Sequence, residues 1–210
     1  QCYRGSSRET DDSRRATLST LGETLAFGRR VCDCRYSKMC GGVAEDSGSV
    51  WEGYEKPYMM AVWDGEDSID AARLMPADTE ERARAFIEAR PDVYCNTLTA
   101  EDVPAYLRYS AKYFRWTVEF TRKEFEASLA RFPQWDVGEF QGFEVLKRGK
   151  SGRIEYIRVI GSARSVVIGR EYNIRLAFAP FFLYSSCFIP HVERDAAGRV
   201  SKVRFEGAGW

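Results

Sequence analysis

Five short runs in the last third of the chain constrain its fold more than any other feature. They are FEVLKRG (143–149), RIEYIRVIG (153–161), RSVVIG (164–169), CFIPHVER (187–194) and RVSKVRFEG (199–207). They are rich in β-branched and aromatic residues and are punctuated by glycine turns such as KRGKSGR and DAAGR. That alternation of strand-formers and glycine predicts a β-rich C-terminal third. Between the third and fourth runs, REYNIRLAF (170–178) reads as a short helix.

The middle of the chain is helical in pattern. ADTEERARAFIEAR (77–90) opens on Asp78 and Thr79, carries Glu81 in its first turn and stops at Pro91. A second helix is expected over 99–114, with Thr99 as its cap, Asp102 at the capping-box position and Pro104 in the first turns. RWTVEFT (115–121) alternates like a strand, and TRKEFEASLARF (121–132) repeats the helical start, with Thr121 capping and Glu124 three residues on. Upstream, residues 3–14 read as an irregular lead-in. ATLST (16–20), TLAFG (24–28) and RRVCDCRYS (29–37) follow as three short strands of a meander. The stretch 39–58, rich in glycine and aromatic residues, has no period and predicts a long loop that is functional or packed by its own rings. The class is therefore α+β, with mixed or antiparallel strands, helices grouped mid-chain and a single domain expected over 1–210.

Charge excludes one class of partner. The 31 basic residues balance 31 acidic ones, so no net field draws the chain to nucleic acid. No apolar run approaches the roughly 20 residues of a membrane span; the longest, LAFAPFFLYSSCF (176–188), is broken by a proline and two serines. With Gln1 at its start and GAGW at its end, the chain reads as a piece of a longer protein.

Motifs of catalysis are sparse. The sequence has no G-x-S-x-G, P-loop or H-E-x-x-H, and its one histidine, His191, reads as a half-exposed strand residue. Glu45, Asp46, Glu52 and Asp64 gather around the Gly/Trp loop. Two carboxylates could do acid–base work on a glycosidic bond, but a solvated acidic loop is the simpler reading. Six cysteines are too few and too scattered for a disulfide scaffold, and Cys32, Cys34 and Cys40 have a C-x-C-x5-C spacing that is no standard zinc pattern. Buried small side chains with one bridge, or a metal site, both remain open readings. Trp51, Tyr54, Tyr58, Trp63, Tyr113, Phe114, Trp116 and Trp135 supply flat faces of the kind that stack on sugar rings, or that simply fill a core.

Taken in order, CDCRYSKMCGG, VWEGYEKPYMMAVWD, FRWTVEFTRKEF, LKRGKSGRIEYIRVIG, LYSSCF and the final GAGW resemble the stage II sporulation protein D family. It is also called the amidase-enhancer family, and the form resembled is that of Bacteroidetes-like bacteria. The resemblance runs from about Gln1 to Trp210. Lys38 and Met39 depart from the Ser/Thr-rich version of the motif, while Cys40 fits the KCCGG version with Met39 in place of its first cysteine.

What the resemblance implies is peptidoglycan chemistry. A lytic transglycosylase of this kind cleaves the MurNAc–GlcNAc linkage of denuded glycan strands and leaves a 1,6-anhydro sugar. One glutamic acid protonates the leaving oxygen and then, as carboxylate, assists the C6 hydroxyl. In the family that glutamate lies in an upstream segment resembling GEVP…W…EALKAQAVAARTYA, which has no counterpart here, and the GHG motif would follow GAGW. No catalytic residue is therefore assigned within this chain, and activity of these residues alone is not expected. The substrate-binding residues implied are Arg35, Ser37, Cys40, Gly41, Gly42, Trp51, Tyr58, Ser185 and Ser186. Arg115 and Trp116 are expected to tie the middle helices to the sheet. Zinc is the metal associated with some members, its ligands expected mostly upstream, so no metal ligand is assigned here. A bridge from Cys32 or Cys34 to Cys40 is open in an oxidising envelope. The partners implied are glycan strands and a cell-wall amidase, in an extracytoplasmic location and in vegetative wall remodelling more than in sporulation. A non-catalytic glycan-binding module that stimulates the amidase is the alternative.

Overall fold

Thr10 begins the first long element. In the computed structural model, which describes residues 5–66, 68–97, 103–104 and 107–210, its hydroxyl accepts the Ser13 N–H and the Ser13 hydroxyl accepts the Thr10 N–H. This reciprocal cap, with Asp11 and Asp12 at the positive end of the helix dipole, starts α1 (Asp11–Ser19). The chain divides into two compact units, 1–36 and 37–210. The first holds a 3-10 turn (Ser6–Arg8), α1 and a small hairpin of β1 (Ala26–Phe27) and β2 (Arg30–Val31).

Two expectations fail in this unit. ATLST is the second half of α1, not a strand, and the lead-in is helical from Asp11. The β-preference of threonine yields to the helix that the Thr10 cap starts, and the Thr17 and Thr20 hydroxyls bond back to the Ser13 and Ala16 carbonyls. The expected meander reduces to the β1–β2 hairpin.

The second unit is built on two antiparallel sheets. One has the order β3 (Trp116–Thr121), β8 (Val200–Gly207), β7 (Phe188–Arg194). The other runs β4 (Phe140–Arg148), β5 (Ile154–Gly161), β6 (Ser165–Gly169). All five C-terminal runs and RWTVEFT are thus strands. β8 shows why: Val203, Phe205 and Gly207 point inward while Lys202, Arg204 and Glu206 alternate toward solvent. Both sheets share one core with α5 (Arg122–Ala130) and α6 (Glu171–Ala177), centred on Phe125, Phe140, Phe178, Phe188 and Phe205. Each buried ring is worth roughly 1.5–3 kcal/mol relative to exposure. Gly207 is required there, since a Cβ would lie 2.3 Å from the Trp116 ring.

A smaller apolar cluster lies beside β7. α4 (Glu80–Ala89), capped by Thr79, turns Ala83, Phe86 and Ile87 inward, an i, i+3, i+4 stripe that meets Val43, Leu74 and Ile189. Two short helices, α2 (Ser47–Val50) and α3 (Ile69–Leu74), interrupt the region expected to be aperiodic or left unassigned. Of the helix expected over 99–114, residues Arg108–Tyr113 form a 3-10 helix; Thr99 and Asp102 lie outside the described residues. The molecule is α+β, and no helix among the described residues is long and apolar enough to cross a membrane.

Candidate functional site

The Cys40–Gly41–Gly42 turn is held in place by arginines rather than by a sheet. Gly41 and Gly42 have φ of 80° and 113°, conformations that L side chains rarely adopt. The Arg115 guanidinium donates to the carbonyls of Gly41, Phe86, Ile87 and Phe114 at 2.7–3.0 Å. Arg153 donates to the carbonyls of Cys40 and Val43 and to the Ser151 hydroxyl. Burial lowers the Arg115 pKa to about 10, which leaves the group charged at neutral pH. Gly209 closes against the turn: its N–H donates to the Tyr113 carbonyl, and the Trp116 indole donates to its carbonyl. Met39 and Trp210 exchange two backbone hydrogen bonds, 3.0 and 2.7 Å long.

Under this turn three ligand-type side chains converge. Cys40 Sγ lies 3.4 Å from Cys95 Sγ and 3.2 Å from Asp64 Oδ2. The Cys95 backbone N–H donates to the same carboxylate oxygen at 3.0 Å. One ligand atom from each residue falls within 4.8 Å of the others, and all three residues are half-buried. Asp64 is positioned by the Asp64 N–H to Gly42 carbonyl bond and the Val43–Trp63 bridge beside it. The hydrogen bond with Cys95 lowers the Cys40 pKa, helped by the Gly42 N–H and opposed by burial. Cys95 is raised by the same shared hydrogen bond and by burial. Cys40 is therefore the thiol of the pair that gives up its proton more readily, and the Asp64 charge opposes ionisation of both.

Only some of the residues singled out by sequence belong to this site. Cys40, Gly41 and Gly42 form its turn, and Ser37 is exposed just before it. Arg35 belongs to the first unit, where it forms a fork with Asp33. Trp51 closes α2 and packs edge-on against Tyr54, and Tyr58 is half-buried. Ser185 and Ser186 are buried; the Ser185 hydroxyl accepts the Cys187 N–H and the Ser186 carbonyl accepts the Ile154 N–H. These bonds tie LYSSCF to β5 and to its own backbone. The bridge from Cys32 or Cys34 to Cys40 that the sequence left open is not present: Cys32, Cys34, Cys40, Cys95 and Cys187 are free thiols, and Cys40 has Cys95 as its sulfur neighbour.

Two of the loop acids are committed elsewhere. Glu45 accepts the Ser151 N–H and hydroxyl, and Asp46 accepts the Ala61 N–H and pairs with Lys150 at 2.9 Å. Asp46 borders a polar cleft of about 670 Å³ lined by Ser47, Lys56, Lys147, Glu155 and Arg170 among others. His191 lies on β7, 3.1 Å from Glu206, as a strand residue. Arg115 and Trp116 do tie α4 and the chain end to the sheet.

Sequence reasoning missed Cys95 as a partner of Cys40 and grouped Asp64 only with the loop acids. The three lie 24 and 31 residues apart, a separation that matches no ligand-spacing rule.

An α+β protein with a dithiol–carboxylate cluster beneath a glycine turn is the class these features define. The chain belongs to the family described as a domain of unknown function (DUF8618), which it matches over residues 45–210. Asp64 and Cys95 fall within the matched span, and Cys40 stands just before it. No curated protein and no solved structure matches the chain.

Proposed function

We propose that this chain is the substrate-cleft portion of a peptidoglycan lytic transglycosylase-type protein, acting on denuded glycan strands outside the cytoplasm. The catalytic glutamate comes from a segment upstream of Gln1. One observation carries the reading. Segments far apart in sequence, SKMCGG, the VWD of 62–64, FRW and GAGW, meet at one place through the Met39–Trp210, Asp64–Gly42, Arg115–Gly41 and Trp116–Gly209 hydrogen bonds. These are four pieces of the ordered set that resembles the stage II sporulation protein D family. A chain that spends so many buried hydrogen bonds on joining them is building a defined surface at that point.

In that role the turn and the aromatic wall behind it, where Tyr113 and Trp210 stack at 5.1 Å, supply apolar area and backbone donors to a sugar. Acid–base chemistry falls to the upstream glutamate.

A second reading is favoured by a separate observation. Glu45 and Asp46 already serve structural hydrogen bonds, which suits a module that grips glycan and stimulates a partner amidase. One experiment separates the two. Peptide-free glycan strands are digested with the protein carrying its upstream segment, and with a variant whose upstream glutamate is glutamine. Anhydro-terminated fragments from the first sample alone are the expected result. Retention on glycan with no fragments from either sample selects the binding module, and neither cleavage nor retention by a folded sample removes both readings.

A further inference from the structure

Cys40, Asp64 and Cys95 have the chemistry and spacing of metal ligands. In a tetrahedral zinc site, Zn–S bonds of ~2.3 Å and a Zn–O bond of ~2.0 Å set S···S near ~3.8 Å and S···O near ~3.5 Å. The observed 3.4 Å between the sulfurs and 3.2 Å from Cys40 Sγ to Asp64 Oδ2 are close to those separations. A disulfide would need ~2.05 Å between the sulfurs.

We propose that these three side chains bind one thiophilic divalent cation, zinc in the ordinary case, with the fourth tetrahedral position left to water or an outside donor. Three protein ligands and an exchangeable fourth is the pattern of zinc sites that do more than brace a fold. Two thiolates and a carboxylate bring three negative charges to a divalent ion. Arg115, whose charge interacts with both Cys40 and Cys95, offsets the remaining one.

The surroundings are already those of an oriented ligand set. The Cys95 N–H fixes the Asp64 carboxylate, and the Gly42 N–H supports the Cys40 sulfur. Arg153 anchors the Cys40 carbonyl at 3.0 Å. Partners of this kind fix the geometry of metal ligands. Thiols bind metal only as thiolates, so uptake of the metal releases protons. This inference does not rest on the glycan reading and survives its failure.

The test is metal binding by the full chain. Reduced, chelator-stripped protein is titrated with cobalt(II). One equivalent should bring thiolate-to-cobalt charge-transfer absorption and d–d bands of tetrahedral intensity, both displaced by zinc. Cys40→Ser and Cys95→Ser should abolish the charge-transfer band. Asp64→Asn should weaken zinc by more than the roughly 10- to 100-fold typical of losing a supporting partner. Cys34→Ser should leave the titration unchanged. Should a cysteine variant fail to fold, the wild-type chain still decides. One equivalent of zinc should slow alkylation of Cys40 and Cys95 about 10-fold or more, mapped by mass spectrometry, and leave Cys34 unprotected. A folded, reduced wild-type chain with no cobalt spectrum and no protection overturns the site. So does a metal-free Cys40–Cys95 disulfide in protein taken from its own compartment.

Discussion

Two regions of the second unit are stabilised in opposite ways. Between the sheets, cohesion is apolar: Phe125 meets Phe140, Phe143, Phe178 and Phe205 with ring centroids 4.9–5.8 Å apart, and strand pairing satisfies the backbone. From Ser37 to Thr97 the chain has no strand ladder among its described residues, and half-buried arginines take the place of one, donating to the Cys40 and Gly41 carbonyls of the turn and to the Phe86 carbonyl in the last turn of α4. An unpaired buried carbonyl is costly, so a loop region of this length needs a multivalent donor, and guanidinium offers five N–H groups in a rigid fork. The apolar core holds its elements by shape and area, whereas the arginine-held loops fix single atoms, among them the carbonyl of Cys40 and the turn that carries it.

The largest expected effect attacks the apolar side of this comparison. Phe205→Ala removes a fully buried ring in contact with Phe120, Phe125, Phe143, Phe178 and Phe188, and should cost about 3–5 kcal/mol in urea unfolding. Because the core is shared by both sheets, hydrogen exchange should accelerate across all six of their strands. Acceleration confined to β8 would mean that the sheets do not unfold together.

Next comes Arg115→Met, which keeps the stem and removes the donors to four carbonyls. Its expected cost is about 3 kcal/mol, given that hydrogen bonds from charged groups are worth about 1.5–3 kcal/mol and burial of the charge is relieved at the same time. Exchange should rise in residues 39–44 and 86–90 and stay slow in β5. Equal loosening of β5 would break the distinction between the two regions. Gly41→Ala should cost about 1–3 kcal/mol from strain at φ 80°, with its Cβ placed 2.7 Å from the Gly209 nitrogen. Its effect should concentrate on the Met39–Trp210 hydrogen bonds, read as faster exchange of those two amides.

The same contrast separates what was legible in the sequence from what was not. The strands of the C-terminal third, the α5 capping box and the capped start and proline stop of α4 are local patterns, so single segments carry them. ATLST misled because a capping side chain outside the segment decides its state. The arginine-held region has no such pattern. Which carbonyl Arg115 reaches depends on contacts 28, 29 and 74 residues away, and the meeting of Cys40, Asp64 and Cys95 is a product of those contacts. The glycines of the Cys40 turn were readable as a special conformation, but the partners of that turn were not.

The smallest predicted effect sharpens the comparison from the ordered, local side. At the start of α5 the Thr121 hydroxyl accepts the Glu124 N–H, and Glu124 accepts the Thr121 N–H and hydroxyl at 2.8 Å. Thr121→Ala should cost about 1 kcal/mol, the usual worth of an N-cap. The Thr121 backbone N–H, then its hydroxyl, lowers the Glu124 pKa in the folded state. A carboxyl whose folded pKa is below its unfolded value adds stability above the unfolded pKa, and the contribution is lost as pH falls through the folded one. Wild type should therefore exceed Glu124→Gln in stability at neutral pH, and the gap should narrow as pH drops below the ordinary glutamate range. A gap that stays constant with pH would show that the carboxylate charge takes no part in the cap, and that the hydrogen-bond geometry alone, which glutamine can imitate, starts the helix.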